Sequence, residues 1–261
     1  YLEVAMILTI LAFAAMQGPV TLPSPPVRYR IEAKTTADQD LTSIGRGKVT
    51  GSLTSIAFVS VTTTDSAEGQ VARVVVDSMT LEPVGAMTAQ LSAANAKAAA
   101  DSARGLWVHA YTVKGTIRGT PQPSSPNPAL AAVMQAVGVL FPGIRTNIKL
   151  GDAWADTTKI DSDVQGGHQT GRIVATWKVV GNDDGAFVLD GTSTSTVTTN
   201  GQAGQVLTRQ GTSRERLTLA PRGPARNASI ETTTDASMVS QPGAAAIPAK
   251  NTAVLKVTQL P

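Results

Sequence analysis

The chain has 261 residues, with 22 Lys and Arg against 19 Asp and Glu, a formal net charge of +3 and a pI near 9.3. The absence of cysteine excludes disulfides, thiolate metal sites, a cysteine nucleophile and the lipidated cysteine of a bacterial lipoprotein. Two histidines leave almost no material for histidine-based catalysis. Thinly spread Lys and Arg, with 3 Trp, 3 Tyr and 4 Phe among them, argue against a nucleic-acid surface.

Residues 4–16 read VAMILTILAFAAM, an apolar run interrupted only by Thr9. As a helix it rises about 20 Å, short of the roughly 30 Å hydrocarbon core. One reading makes it the tail of a secretory signal peptide, with Ala12-Phe13-Ala14 as the small-x-small cleavage site. The favoured reading makes residues 1–17 a retained anchor that presents Val4, Met6, Ile7, Leu8, Ile10, Leu11 and Phe13 to the membrane or to a membrane-embedded partner. Residues 18–26 (GPVTLPSPP) hold four prolines in nine positions and predict an extended, semi-rigid spacer. Anchor and spacer together predict an extrinsic domain at the periplasmic side of a bacterial inner membrane.

From residue 27 the period changes to two. Val27, Tyr29, Ile31 and Ala33 alternate with Arg28, Arg30, Glu32 and Lys34, as in a half-buried strand. Residues 44–63 form a long β-prone stretch, with a bulge or bend expected at Gly45, Gly47 or Gly51. A strand over 71–81 precedes an Ala-rich helix over 88–104 that is capped by Gly105, and a strand follows over 106–118. After the Pro-rich loop 120–128, Asn127 as N-cap and Pro128 as first helical residue open an apolar helix that Pro142-Gly143 closes.

The remaining strand-like runs are 154–160, 172–180, 186–197, 206–219, 228–239 and 253–260, with a hairpin turn at 181–185. Thr192, Thr194, Thr196 and Thr198 mark a solvent-facing strand side. The expectation is a mainly β single domain over 27–261 with about nine or ten strands. These form one antiparallel curled sheet, a barrel or half-barrel, with two inserted helices and an N-terminal apolar helix.

No catalytic constellation emerges. His109 shares a strand face with Trp107, Tyr111 and Val113 and reads as a hydrogen-bonded strand histidine, and His168 reads as solvated. Asp152, Asp156, Asp161 and Asp163 lack the EF-hand spacing and read as strand-end and turn residues. The glycines 45, 47 and 51 miss the dinucleotide fingerprint by one residue and lead into a strand, where phosphate binding needs a helix N-terminus. The expectation is therefore no catalytic residue, no metal, no cofactor and no small-molecule substrate. The best polar candidate is Arg209, Arg214, Arg216, Arg222 and Arg226, five arginines within eighteen residues with only Glu215 as counter-charge. Arginine forks carboxylates and phosphates, so these are read as docking on acidic loops of a partner or on lipid phosphates.

Long meandering strands, an apolar helical insertion and then Leu150-Gly151-Asp152-Ala153-Trp154 before a run of hairpins resemble secreted bacterial β-domains of the lipoprotein-carrier type. That resemblance implies an open half-barrel over a groove roofed by helices, and non-catalytic binding of acyl chains. The scarcity of aromatics and large aliphatics here departs from that pattern and predicts a groove filled with small side chains that holds nothing. Residues 62–83 and 150–158 also resemble exported proteins of a bacterial group that includes phototrophs. In plan these are similar to extrinsic subunits that brace a photosynthetic reaction centre inside its antenna ring. Two functions follow as expectations. The leading one is a non-enzymatic, membrane-anchored subunit that stabilises an integral membrane protein complex and touches membrane lipid. Its rival is a periplasmic carrier or sensor of a hydrophobic ligand.

Overall fold

The computed structural model describes residues 25–66, 69–113, 116–142, 148–164, 167–201, 204–220 and 224–261. The anchor and spacer positions 1–24 lie outside these, and with them Val4, Met6, Ile7, Leu8, Ile10, Leu11 and Phe13.

Alternating sequence produces long strands, as expected of a sheet with one covered and one wet face. They are β1 (Val27–Asp40), β2 (Lys48–Ser66) and β3 (Gly69–Gly85), then, after two helices, β4 (Trp107–Val113) and β5 (Thr116–Pro123). A third helix leads to β6 (Ala153–Val164), β7 (Gly167–Asp183), β8 (Ala186–Gly201), β9 (Val206–Leu219), β10 (Ala225–Val239) and β11 (Ile247–Gln259). The helices are α1 (Met87–Gln90), α2 (Ala93–Ala103) and α3 (Ala131–Leu140). None of them is long and apolar enough to cross a membrane.

All eleven strands form one sheet in the order β5-β4-β3-β2-β1-β11-β10-β9-β8-β7-β6, every neighbouring pair antiparallel. The chain meanders out from β1 to one edge, crosses through α3 to the other edge, and meanders back until β11 pairs with β1. The edges β5 and β6 do not pair with each other, so the sheet is open and the barrel alternative is corrected. It is nonetheless curled. From β5 to β10 is six strand spacings, about 29 Å across a flat sheet, yet α3 touches β4, β5, β1, β11 and β10. With ten residues α3 is only about 15 Å long. The two wings must bend towards it.

The covered inner face carries Tyr29, Ile31, Val59, Val61, Val74, Val76, Val108, Leu189, Leu217 and Val257, which pack with Leu130, Val133, Val137 and Leu140 into one core. Burial pushes the Tyr29 hydroxyl above its ordinary pKa.

Local chemistry sets the connections. The Asn127 side chain accepts from the Ala129 N–H at 2.8 Å, so the expected cap is present, although the first turn is 3-10. Its amide also donates to the Ala99 carbonyl and to Ser102 Oγ, tying α2 to the start of α3. The tight turn between β7 and β8 has both central residues at positive φ, Asp184 at 47° and Gly185 at 75°, the mirror-image turn that suits strand twist.

Three sequence expectations change. The single helix over 88–104 is two, because the Ser92 hydroxyl accepts from the Asn95 N–H and starts α2 afresh. The strand over 106–118 is a hairpin, β4 and β5, and with the longer β6 and β7 it brings the count to eleven. The glycine-rich start of 44–63 is a turn before β2, with Gly45 at φ 77°, and the register shift between β2 and β3 falls at Phe58/Val59 instead.

Candidate functional site

Alternation within unbroken strands puts every second residue on the inner face. Counting back along β9 from the core residue Leu217, the inner positions are Glu215, Ser213, Gly211, Arg209 and Leu207. Register extends each into a cross-strand row. The row nearest the core is Trp154, Trp177, Gly191, Glu215, Ile230, Leu255. Next come Ala175, Ser193, Ser213, Thr232, Ala253 and then Ile173, Ser195, Gly211, Thr234, Asn251. The fourth is Gly171, Val197, Arg209, Ala236, Ala249, and the fifth Gln169, Thr199, Leu207, Met238, Ile247.

The inner face therefore has two zones. One is packed and aliphatic beneath α3. The other continues past the Trp177–Glu215 row and is lined mostly by Gly, Ala, Ser and Thr. Small side chains line this second zone, and under α3 the face is filled.

Charge is sparse there: Asp156 is exposed on the edge strand β6, opposite Ala175, and β9 carries Glu215 and Arg209. Glu215 is part-buried; burial raises its carboxyl pKa, and the Ser213 Oγ hydrogen bond at 3.1 Å offsets this only in part. Arg209 lies opposite Val197 and Ala236, with no carboxylate across from it on either side. Its Nε is buried and has no hydrogen-bond partner. On the adjacent strand, one row along, Thr199 Oγ1 is also buried without a partner. Between the Arg209 and Ser213 rows, the space above Gly211 is taken by neighbouring side chains. A side chain there would begin 2.6 Å from Ser195 Oγ and 3.3 Å from Thr234 Oγ1, so two hydroxyls converge above it.

The outer face is a charge ladder. Arg214 lies opposite Glu231 and Thr192, while Arg216 lies opposite Asp190 and Ser229, with Nη1 3.3 Å from Asp190 Oδ1. Arg226 reaches the β7–β8 turn, 3.7 Å from Asp184 Oδ2, and Arg222 lies outside the described residues. The five arginines of the sequence analysis are thus not one patch: Arg209 is inside, and Arg214 and Arg216 are outside. Thr192, Thr194 and Thr196 are exposed on the outer side, and Thr198 is half-buried beside them. His109 stacks on Trp107 with ring centroids 4.1 Å apart, and Arg73 sits over that indole at 5.4 Å. Desolvation first, then the Arg73 charge, lowers the His109 pKa. His168 is held between two carboxylates, Nδ1 2.9 Å from Asp163 and Nε2 3.1 Å from Asp161. The Asp163 hydrogen bond is the main reason its pKa is raised.

Sequence reasoning missed Thr199, Trp177 and the inward direction of Glu215 and Arg209. The signal was present. Leu217 is the apolar end of a strict alternation, and parity from it assigns Arg209 to the core side.

No family model and no curated protein matches the chain. Among solved structures it is similar to lipovitellin, in a structure concerned with lipid–protein interactions in that protein, with a TM-score of 0.43 and 10% identity. The likeness covers 91% of this chain and 25% of the other, so the chain spans a quarter of that protein's length. A Rhodopseudomonas blastica porin triple mutant is also similar, at a TM-score of 0.22 and 9% identity, over 90% of this chain and 100% of the porin.

Proposed function

We propose that this protein is a non-catalytic carrier of an amphiphilic ligand, exported to the periplasmic side and binding on the inner face of its open sheet. The observation that carries this reading is the division of that face. An apolar zone covered by α3 runs into a zone of small side chains with unpaired polar groups. Helix α3 has no charged residue, and six of its ten residues are buried. It packs on the inner face through side chains alone and forms no strand pair. An alkyl chain can take the place of its side chains at little cost, since both are aliphatic. Extraction of the purified protein with organic solvent, followed by mass spectrometry, tests the reading: a lipid recovered in stoichiometric amount supports it, and ligand-free protein that binds no alkyl probe refutes it.

A second reading keeps the leading sequence expectation, an extrinsic subunit of a membrane protein complex held by residues 1–17. What favours it is the pair of open edges: among the described residues β5 and β6 each pair on one side only, and such edges offer backbone groups to another chain. The finer assignment to a photosynthetic reaction centre–antenna complex rests on sequence resemblance alone. Co-purification with integral membrane proteins at fixed stoichiometry would favour this reading over the carrier.

A further inference from the structure

We infer that the second zone of the inner face is a binding site for an anionic headgroup, a carboxylate or phosphate ester, with Arg209 as its principal ligand. The inference deepens the carrier reading and rests on it for the alkyl part of the ligand.

A buried donor without a partner is destabilising, and more so when the group is charged, so such an atom marks a place where an acceptor would be favourable. Here two such atoms, Arg209 Nε and Thr199 Oγ1, occur on the same face of adjacent strands. Diagonal neighbours on an antiparallel pair stand about 7–8 Å apart at their Cα atoms, within reach of a single polyatomic group held between a long side chain and a short one. The nearest inner-face carboxylate on β9, Glu215, is six residues away, about 20 Å along the strand. It is too distant to serve as counter-ion, and Arg209 has hydrophobic or methyl side chains directly opposite on both neighbours.

The surroundings suit an anion. One row towards the core, Ser195 Oγ and Thr234 Oγ1 fill the space above Gly211, which places two hydroxyls in the row beside Arg209. A guanidinium supplies a planar fork of N–H donors, and the hydroxyls supply rotatable ones, which together match the several acceptor oxygens of a phosphate or carboxylate. A cationic headgroup would be repelled by Arg209, and an uncharged one could accept from Nε but would bring no counter-charge. The site also points in the right direction. From Arg209 the inner face runs past Gly211 and Ser213 to the Trp177–Glu215 row and then to the aliphatic zone under α3, so a headgroup at Arg209 directs its chain along small residues towards the core.

The test uses the full chain and three probes: dodecyl phosphate and dodecyl maltoside, each below its micellar concentration, and inorganic phosphate. Titration calorimetry is run on the native protein and on Arg209→Gln, Arg209→Lys and Thr199→Val, with circular dichroism verifying that each variant is folded. The expected result is that dodecyl phosphate binds about ten- to hundredfold more tightly than dodecyl maltoside, as a charge-assisted pair predicts. Arg209→Gln should abolish that preference without changing maltoside affinity. Arg209→Lys, which keeps the charge but lacks the fork, should retain only part of it. Equal affinity for the two detergents, or a preference that survives Arg209→Gln, overturns the headgroup assignment and leaves the carrier reading standing. If inorganic phosphate binds as tightly as dodecyl phosphate, the source is a free anion and the amphiphile assignment is overturned. If neither detergent binds, the carrier reading fails and this inference fails with it.

Discussion

The indole of Trp177 lies over Gly191, so close that a Cβ on the glycine would sit 2.5 Å from Cζ3 and 2.6 Å from Cε3 of the ring. The two residues are cross-strand partners on β7 and β8, and their row divides the packed part of the inner face from the open part. A bulky aromatic flanked by a vacant position is how an extended sheet lets a ring lie flat instead of standing up from the surface.

Gly191→Ala should therefore lift the ring and cost about 1–3 kcal/mol, the usual penalty for overpacking. Trp177→Ala in the same background should recover part of that loss. The check is a double-mutant cycle by urea denaturation, where strictly additive effects would mean that the ring does not occupy the glycine's space.

Two adjacent residues on β9 separate the faces energetically. Leu217→Ala, in the core, should cost about 2–5 kcal/mol. Arg216→Ala, on the exposed outer side with an ion pair to Asp190, should change stability by less than about 1 kcal/mol. Similar losses in the two variants would contradict the assignment of faces.

How legible this was in the sequence depends on the period. The strict alternation in β1 and the Pro/Asn start of α3 could be read directly, as could the hairpin turn at 181–185, because each is a local rule. The split of 106–118 into a hairpin was not legible, since no turn dipeptide marks it. Openness of the sheet was also hidden: it depends on whether β5 meets β6, a contact between strands far apart in sequence. The arginine cluster is dense in sequence but divided in space, because strand parity sends Arg209 inward and Arg216 outward.

The two histidines should titrate in opposite directions from the ordinary value of about 6.5. His168 is raised by Asp163 and Asp161, and His109 is lowered by burial and Arg73. Because the folded pKa of His168 exceeds its unfolded value, its ion pairs stabilise the β6–β7 hairpin fully below the unfolded pKa. That contribution is lost as pH rises through the folded pKa. Proton NMR of the imidazole resonances checks the order, and in His168→Gln the stability difference from the native chain should shrink towards alkaline pH. A His168 that titrates below His109 would contradict the geometry.

Glu215 carries the reverse consequence for an acid. Its folded pKa is raised by burial, so the folded state holds its proton longer than the unfolded chain does, and stability falls as pH rises from the ordinary glutamate range through the folded value. Glu215→Gln should remove that slope and raise the melting temperature at neutral pH. A melting temperature lowered at pH 7 would show that the carboxylate is paired and not merely desolvated.

The central claim, that the inner face of the open sheet receives an amphiphile, is tested most directly by native mass spectrometry of the protein purified without detergent, before and after delipidation. The account predicts a bound species of lipid mass that delipidation removes and an added long-chain phosphate or carboxylate restores at one equivalent. A protein that shows only its own mass in both states, and takes up no such probe, would contradict it.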